Sequence, residues 1–510
     1  MAFSQETKLQ CSFPGSRLIL LIAIILGVAG VYGVAATKNL LLAVAAVLVL
    51  SLGFAIVAWP EIATLVVIFL LYSNLPVVAV KFHGVPYLLG AAYLGLLVIP
   101  IIVYLVFLRQ RLIIPSILPL MLFFLVIQLV GALFSEDRTI VLSAVVTFVI
   151  EGILLFLLII NTVRTPKILR RVIWVLLLAG VFMNVVPFYQ QMTKTYGNNY
   201  GGLGQVSEKG LGTGEVIADG EVRQFRLAST IGEQNRFAQI MIMLIPLGLF
   251  RFWGERKKVL RALALAATGI IVLGMVLTFS RGAAVSLALL VVLMMFMRLI
   301  KPYHLIIATG ACLLLMMVIP QYWTRLATLQ GAIGIFSEEG NSAYELDGSI
   351  TGRATEMLAA AMVFADHPII GVGSGMFKYY AQEYGNTLNI RYLEEDRRAH
   401  SMYLEIAAEN GALGLICFLA ILYVMLRNLA RTRKRWADER PELANMATSL
   451  MLAIIAYLMS GLFMHLSYMR YFWFMLALGE ASSYMGSAME QSSLSNRGLE
   501  TQGKTHEPTD

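Results

Sequence analysis

The sequence predicts an all-α, polytopic membrane protein of about 14 transmembrane helices (12–14), with a long external loop that carries amphipathic helices. Three observations predict it. The 510-residue chain is 58% hydrophobic and only 14% charged, more apolar surface than a soluble fold can bury. Apolar runs of about 20 residues, the length that crosses a hydrocarbon core, recur from one end to the other. Basic residues fall in alternate short connections between those runs, as the positive-inside bias requires.

Residues 1–17 are polar and read as a cytoplasmic N-terminal segment. The run from Leu18 to Ala36 is longer than a signal-peptide core and another span follows at once, so it reads as a retained helix. Runs at 40–59, 62–80, 86–107, 113–134, 140–163 and 171–189 complete an N-terminal membrane block, 18–189. A Gly-rich polar loop covers 190–234, and spans at 235–252, 259–279, 282–299 and 303–320 form a central block, 235–320. The second long loop is 321–403, and spans at 405–427, 445–465 and 468–486 make up a C-terminal block, 404–486. The tail, 487–510, is rich in Ser, Asn and Gln and too poor in apolar residues to fold alone, so it is expected to be disordered and cytoplasmic.

With the N-terminus inside, Arg109–Arg111, Arg164–Arg171, Arg251–Arg261, Arg298–Lys301 and Arg427–Arg440 all lie in the cytoplasm. Both termini are then cytoplasmic, and the two long loops and the tight Ser280-Arg281-Gly282 turn are external. Topology thus accounts for the net charge of +8, and no nucleic-acid partner is expected. Cys11, Cys312 and Cys417 lie far apart with no Cys/His spacing, so neither a disulfide framework nor a metal site is read from them. Gly371-Val-Gly-Ser-Gly375 lacks the Gly-Lys-Ser/Thr that follows a phosphate loop, which excludes a nucleotide site there.

The longest polar passage, Gly352 to Gly414, is where chemistry would sit. His400 follows Arg397 and Arg398 and opens a helix on which Glu405 and Glu409 share a face, with Ser401 placed as a cap. An imidazole, whose ordinary pKa is about 6.5, can take a proton from a hydroxyl at neutral pH; interfacial capping is the alternative. Arg281 stands outside against the positive-inside bias, which phosphate recognition explains and snorkelling to the interface also would. Arg226 precedes Gly232 and Asn235, residues of a turn into a helix whose free N–H groups can bind an anion. The helix over Thr351–Asp366 places Met357, Ala361 and Phe364 on one face, an amphipathic pattern that suits the membrane surface. The acidic run Glu394-Glu395-Asp396 reads as a solvated turn.

These pieces together resemble the O-antigen ligase and Wzy-type polymerase superfamily of bacterial membrane glycosyltransferases. The resemblance runs from Arg226 to Phe418. It is carried by Arg226 to Ala238, Ser280 to Ala283, Gly352-Arg353, Asp366-His367-Pro368, Gly371 to Phe377, Ala399 to Leu404, and Glu409 with Gly411 and Gly414. Ser401 stands where many members carry asparagine, and the span count exceeds the one usual for ligases.

The resemblance implies a GT-C-like enzyme of the inner membrane that works without metal, nucleotide or other cofactor. Its expected partners are a polyprenyl-diphosphate-linked glycan as donor and a glycan or lipid A–core hydroxyl as acceptor, at a periplasmic site in the lipid bilayer. His400 is then the catalytic residue, and Arg226 and Arg281 hold the diphosphate with Arg353 and Arg398 assisting. Asn235, Gly371, Gly373, Gly375, Glu409, Gly411 and Gly414 support the motifs. Two alternatives stay open: a polysaccharide polymerase of the same superfamily, and a flippase of lipid-linked sugars. A flippase calls for mid-membrane charge, for which Glu151 is the clearest candidate, with Glu480 near the last span.

Overall fold

The computed structural model describes residues 59–204, 214–216, 222–301, 303, 348–388, 398–465 and 469–504. The spans expected at 18–36 and 40–59, save Trp59, and at 303–320, save Tyr303, lie outside the described residues, as do residues 321–347 of the long loop and the acidic run 394–396. The chain divides into two units. One takes in residues to Val67 and Tyr93–Arg111, whose described part includes the successive helical turns Tyr93–Leu97, Val98–Ile102 and Val103–Phe107. The other, Ile68–Ala92 with Leu112–Asp510, contains every candidate site residue.

In this larger unit helices dominate. They are α1 (Leu118–Phe134), α2 (Arg138–Thr162, with a π segment over Phe148–Leu154), α3 (Pro166–Thr193), α4 (Gln234–Gly254), α5 (Lys258–Val276) and α6 (Arg281–Phe296). After these come α7 (Gly348–Asp366), α8 (Phe377–Thr387), α9 (Met402–Arg435), α10 (Pro441–Ser460) and α11 (Met469–Lys504). A short antiparallel pair, Gly214–Val216 with Val222–Phe225, decorates the first long loop. Seven helices among the described residues are long and apolar enough to cross a membrane, up to eight if the pair bent by 59° at Asn74 counts as one span. The helices α1 and α6 are shorter apolar ones. The last helix continues to Lys504, past the boundary expected at 486.

Local sequence sets the starts. Asp137 caps α2 by accepting from Thr139 N (2.8 Å) and Ile140 N (3.3 Å), Thr165 caps α3 ahead of Pro166, and Glu233 and Ser280 cap α4 and α6. Helices α4 and α10 are buried nearly all round and pack on each other at the centre. By contrast α1 exposes Leu122, Val126, Leu129 and Leu133, a stripe at helical spacing that suits a lipid-facing surface.

The two ends of the bundle differ in chemistry. At one, Glu255 receives Arg170, Trp174 Nε1 (3.1 Å) and Arg251 (3.5 Å), and Arg251 also reaches Glu442 (3.5 Å), which ties α3, α4 and α10. Arg251 and Glu255 are each 2% exposed at the side chain, so this part of a basic cluster is structural as well as topological. At the other end α7 and α8 pack onto α1, α2 and the start of α9 through Val141, Val145, Ala359, Ala360, Val363, Phe377, Ala381 and Ala408. The buried face of α7 is thus Gly352, Thr355, Glu356, Ala359, Ala360 and Val363; Met357, Ala361 and Phe364, the expected apolar face, are half-exposed.

The same end contains a break in α9. Gly411 takes φ 63°, ψ −168°, a conformation open only to glycine, and the helix hydrogen bonds lapse around it. The freed groups are met by the segment before α8. Val372 N and Gly373 N donate to Ala408 O (3.0 Å) and Glu409 O (2.9 Å), while Ala412 N and Leu413 N donate to Pro368 O (2.7 Å) and Ile369 O (3.3 Å). A Cβ at Gly411 would fall on the Ile369 carbonyl, and one at Gly371 would press on the backbone of Ala408–Asn410. The two glycine motifs therefore serve each other: one opens the helix and the other closes the opening.

Candidate functional site

His400 stands just before α9, where the chain turns from the long loop into the membrane helix. Met402 N donates to Gly461 O (2.8 Å), which docks the start of α9 on the connection after α10. That connection, Gly461 to His465, is the hub of the site. Phe463 packs on Gly282, beside Arg281, at 3.2 Å from where a Cβ would stand. The His465 ring meets the His400 ring edge to face at 6.1 Å between centroids. Arg236, 2% exposed, donates to the His465 carbonyl and to its Nδ1, and to Gln239 Oε1 (3.1 Å).

Burial holds the His465 imidazole well below its ordinary pKa, with Arg236, Arg398 and His400 adding to the effect. A neutral ring is also what lets Nδ1 accept from a guanidinium.

The other face of His400 meets Glu356. The Glu356 Oε2 atom lies against His400 Nδ1 as an ion-pair contact, and neither atom makes an aligned hydrogen bond, with the other or with any group among the described residues. The carboxylate is 4% exposed and the imidazole 26%. A buried carboxylate facing Nδ1 fixes the ring and leaves Nε2 for a substrate, the arrangement of a base oriented by a third group.

The arginines are placed as follows. Arg226 Nε donates to Thr278 O (2.8 Å) and its terminal nitrogen to Asn235 Oδ1 (3.2 Å), so it links the approach to α4 with the α5–α6 connection. Asn235 adjoins Arg236, so this arginine is joined through the first turn of α4 to His465. Arg281, half-buried, opens α6 behind the Ser280 cap. Arg353 lies one turn before Glu356 on α7, half-buried. Arg398 pairs with Glu405 across 3.8 Å, and the Glu409 carboxylate accepts backbone N–H groups of Gly375 and Phe377 at the start of α8. Gly414 lies one turn beyond the break, packed on Asn410. Among the described residues no group of three His, Cys, Asp or Glu is placed to hold a metal ion.

Three residues of this site, Glu356, His465 and Arg236, were not among the candidates. A signal for Glu356 existed, since it falls on the small-residue face of α7 beside Ala359, Ala360 and Val363. Nothing near His465 marks it in sequence.

Residues 266–419 match the family model described as O-antigen ligase. The match opens within α5 and closes within α9, and so takes in Arg281, Arg353, Glu356, Arg398 and His400 while Arg226, Asn235, Arg236 and His465 lie outside it. No curated protein matches the chain.

Proposed function

On the premise of an O-antigen ligase domain in a multi-pass membrane protein of the O-antigen ligase/Wzy superfamily, we propose that this protein transfers a glycan from a polyprenyl-diphosphate carrier to an acceptor hydroxyl, the acceptor of a ligase being lipid A–core. The single observation that supports it most is the contact series Glu356, His400, His465, Arg236. It sets an oriented imidazole beside a group of buried and half-buried guanidinium side chains.

In this reading His400 Nε2 takes the proton as the acceptor oxygen attacks the anomeric carbon. The bond from that carbon to the diphosphate oxygen breaks, and the configuration inverts. Arg226 and Arg281 hold the departing diphosphate, with Arg353 and Arg398 assisting. Charge growing on a leaving group in a low-dielectric site gains several kcal/mol from donors already in place. Glu356 keeps Nδ1 engaged and offsets the positive charge that His400 acquires.

In this reading the site lies at the periplasmic end of the bundle, opposite the basic connections. The flippase reading draws on Glu151 and Glu480: Glu151 pairs with Arg470 (3.4 Å), and Glu480 accepts from Ser116 N (2.9 Å) and Oγ (2.7 Å). The test is transfer in proteoliposomes, with a polyprenyl-diphosphate oligosaccharide and either lipid A–core or a growing polysaccharide as acceptor, with and without EDTA. Wild type should form product, and His400→Ala and Arg281→Ala should not. Full activity of His400→Ala would refute the mechanism, and product on the polysaccharide alone would make the enzyme a polymerase.

A further inference from the structure

At the end of the bundle away from His400, α9, α11 and the residues leading into α1 enclose a cavity of about 980 Å³. Its depth follows from α9, which runs from Met402 to Arg435. From the break at Gly411 to Arg431 is about 20 residues, roughly 30 Å at 1.5 Å per residue, the thickness of a hydrocarbon core. With the break at one surface, Arg431 stands at the headgroup depth of the other.

The charges in the wall are not all engaged. Three cations line the cavity, Arg431, Lys434 and Arg435, with two carboxylates, Glu480 and Glu490. Arg435 is held by Glu490 (3.2 Å) and Glu439 (3.1 Å), and Glu480, 4% exposed, accepts from Ser116 N and Oγ. Arg170 and Arg251, at the same end, are likewise held by Glu255. Arg431 and Lys434 differ: both are exposed, and among the described residues neither makes an ion pair or a hydrogen bond. Half-buried Asn428 and exposed Tyr484 stand in the same wall as neutral donors.

The approach to these cations is apolar. On α9, Ile416, Leu419 and Tyr423 are exposed, and Arg427, Arg431 and Lys434 continue the same face at helical spacing. One helix face thus passes from hydrocarbon contact to free positive charge.

We propose that this cavity binds the headgroup of an anionic phospholipid, with the lipid phosphate on Arg431 and Lys434 and the acyl chains along Ile416, Leu419 and Tyr423. A basic pocket between membrane helices, at headgroup depth, is the arrangement that recognises such lipids. The guanidinium of Arg431 offers a planar fork to two phosphate oxygens, and the Lys434 ammonium adds a mobile point charge. The volume admits a phosphodiester with its polar substituent. In the orientation set by the basic connections this is the cytoplasmic leaflet. The proposal is independent of the transferase reading.

The test uses full-length protein, delipidated in detergent, with native mass spectrometry reading bound molecules as lipid is titrated. Wild type is expected to take up dioleoyl phosphatidylglycerol saturably and more tightly than dioleoyl phosphatidylethanolamine. Arg431→Gln and Lys434→Gln should each weaken that binding roughly five-fold, and the double variant roughly thirty-fold. Arg433→Gln removes the same charge from the same helix end at a position outside the cavity wall, and should stay within two-fold of wild type.

Equal retention of the two lipids by wild type would overturn the anionic assignment, and this comparison depends on no variant. A loss in Arg433→Gln as large as in Arg431→Gln would mean that only the summed surface charge matters, and would overturn the cavity as a site. Glycerol phosphate binding as tightly as phosphatidylglycerol would make the ligand a soluble phosphate and overturn the lipid.

Discussion

Replacing Glu356 by Gln should cut the chemical step while sparing substrate binding. The side chain is 4% exposed and almost isosteric with its replacement, so no cavity opens; what is lost is the negative charge against His400 Nδ1. The attraction between two unit charges in contact runs from about 1 kcal/mol in water to about 4 kcal/mol near a protein surface, and each 1.36 kcal/mol is a factor of ten in rate, so kcat should fall by roughly 5- to 1000-fold. The imidazole is 26% exposed, and solvent screening favours the lower half of that range. KM for donor and acceptor should hold, because in the proposed mechanism Glu356 touches neither substrate. Single-turnover transfer in proteoliposomes measures the step, and Glu356→Asp, which draws the charge back by one methylene, should be intermediate. A Glu356→Gln protein with kcat within two-fold of wild type would refute the orienting role.

Three further outcomes follow from the same structure. Gly411→Ala places a Cβ on the Ile369 carbonyl and forces a residue into a glycine-only conformation, so it should cost about 1–3 kcal/mol from backbone strain alone and show as a lower apparent Tm in detergent, with activity lost in parallel. Glu255→Gln leaves the buried Arg251 with Glu442 as its remaining carboxylate; losing one partner of a buried pair costs about 3–5 kcal/mol, the remaining pair favours the low end of that range, and purified yield and Tm should drop although the site end is untouched. Because His465 is held below its ordinary value, the unfolded chain takes up that proton first as pH falls. Stability should therefore be full above about pH 6.5 and decline below it, with a shallower decline in His465→Gln; equal slopes in a pH series of thermal melts would contradict this.

Most of the fold was legible because the bilayer imposes a length. The runs at 171–189, 235–252 and 445–465 appear as Pro166–Thr193, Gln234–Gly254 and Pro441–Ser460, and the shifts arise where the caps Thr165 and Glu233 and the first-turn proline Pro441 set the start rather than hydropathy. His400, Arg226 and Arg281 could be picked out because polar side chains are conspicuous in so apolar a chain. The contacts that link them were hidden, since they run through Gly461 to His465, a short and mostly apolar connection whose importance lies in what it touches. Glu356 was hidden for a related reason: its partner is far along the chain, and the face it shares with Ala359 and Ala360 is small rather than visibly hydrophobic. The glycines between Gly371 and Gly375 raised the question of a phosphate loop, and their backbone N–H groups do bind oxygen acceptors. Those acceptors are the His367 carbonyl for Gly371, the Glu409 carbonyl for Gly373 and the Glu409 carboxylate for Gly375.

The connection from Gly461 to His465 also bears on how orientation can be mapped. Short links between spans are the customary places for an epitope tag or a reporter fusion, on the reasoning that surface loops tolerate insertion. Here the link meets Met402, Gly282, Arg236 and His400 within five residues, so a tag would be read out as damage rather than as a side of the membrane. Exposed positions such as Tyr379 on α8 are the better sites for a labelling probe.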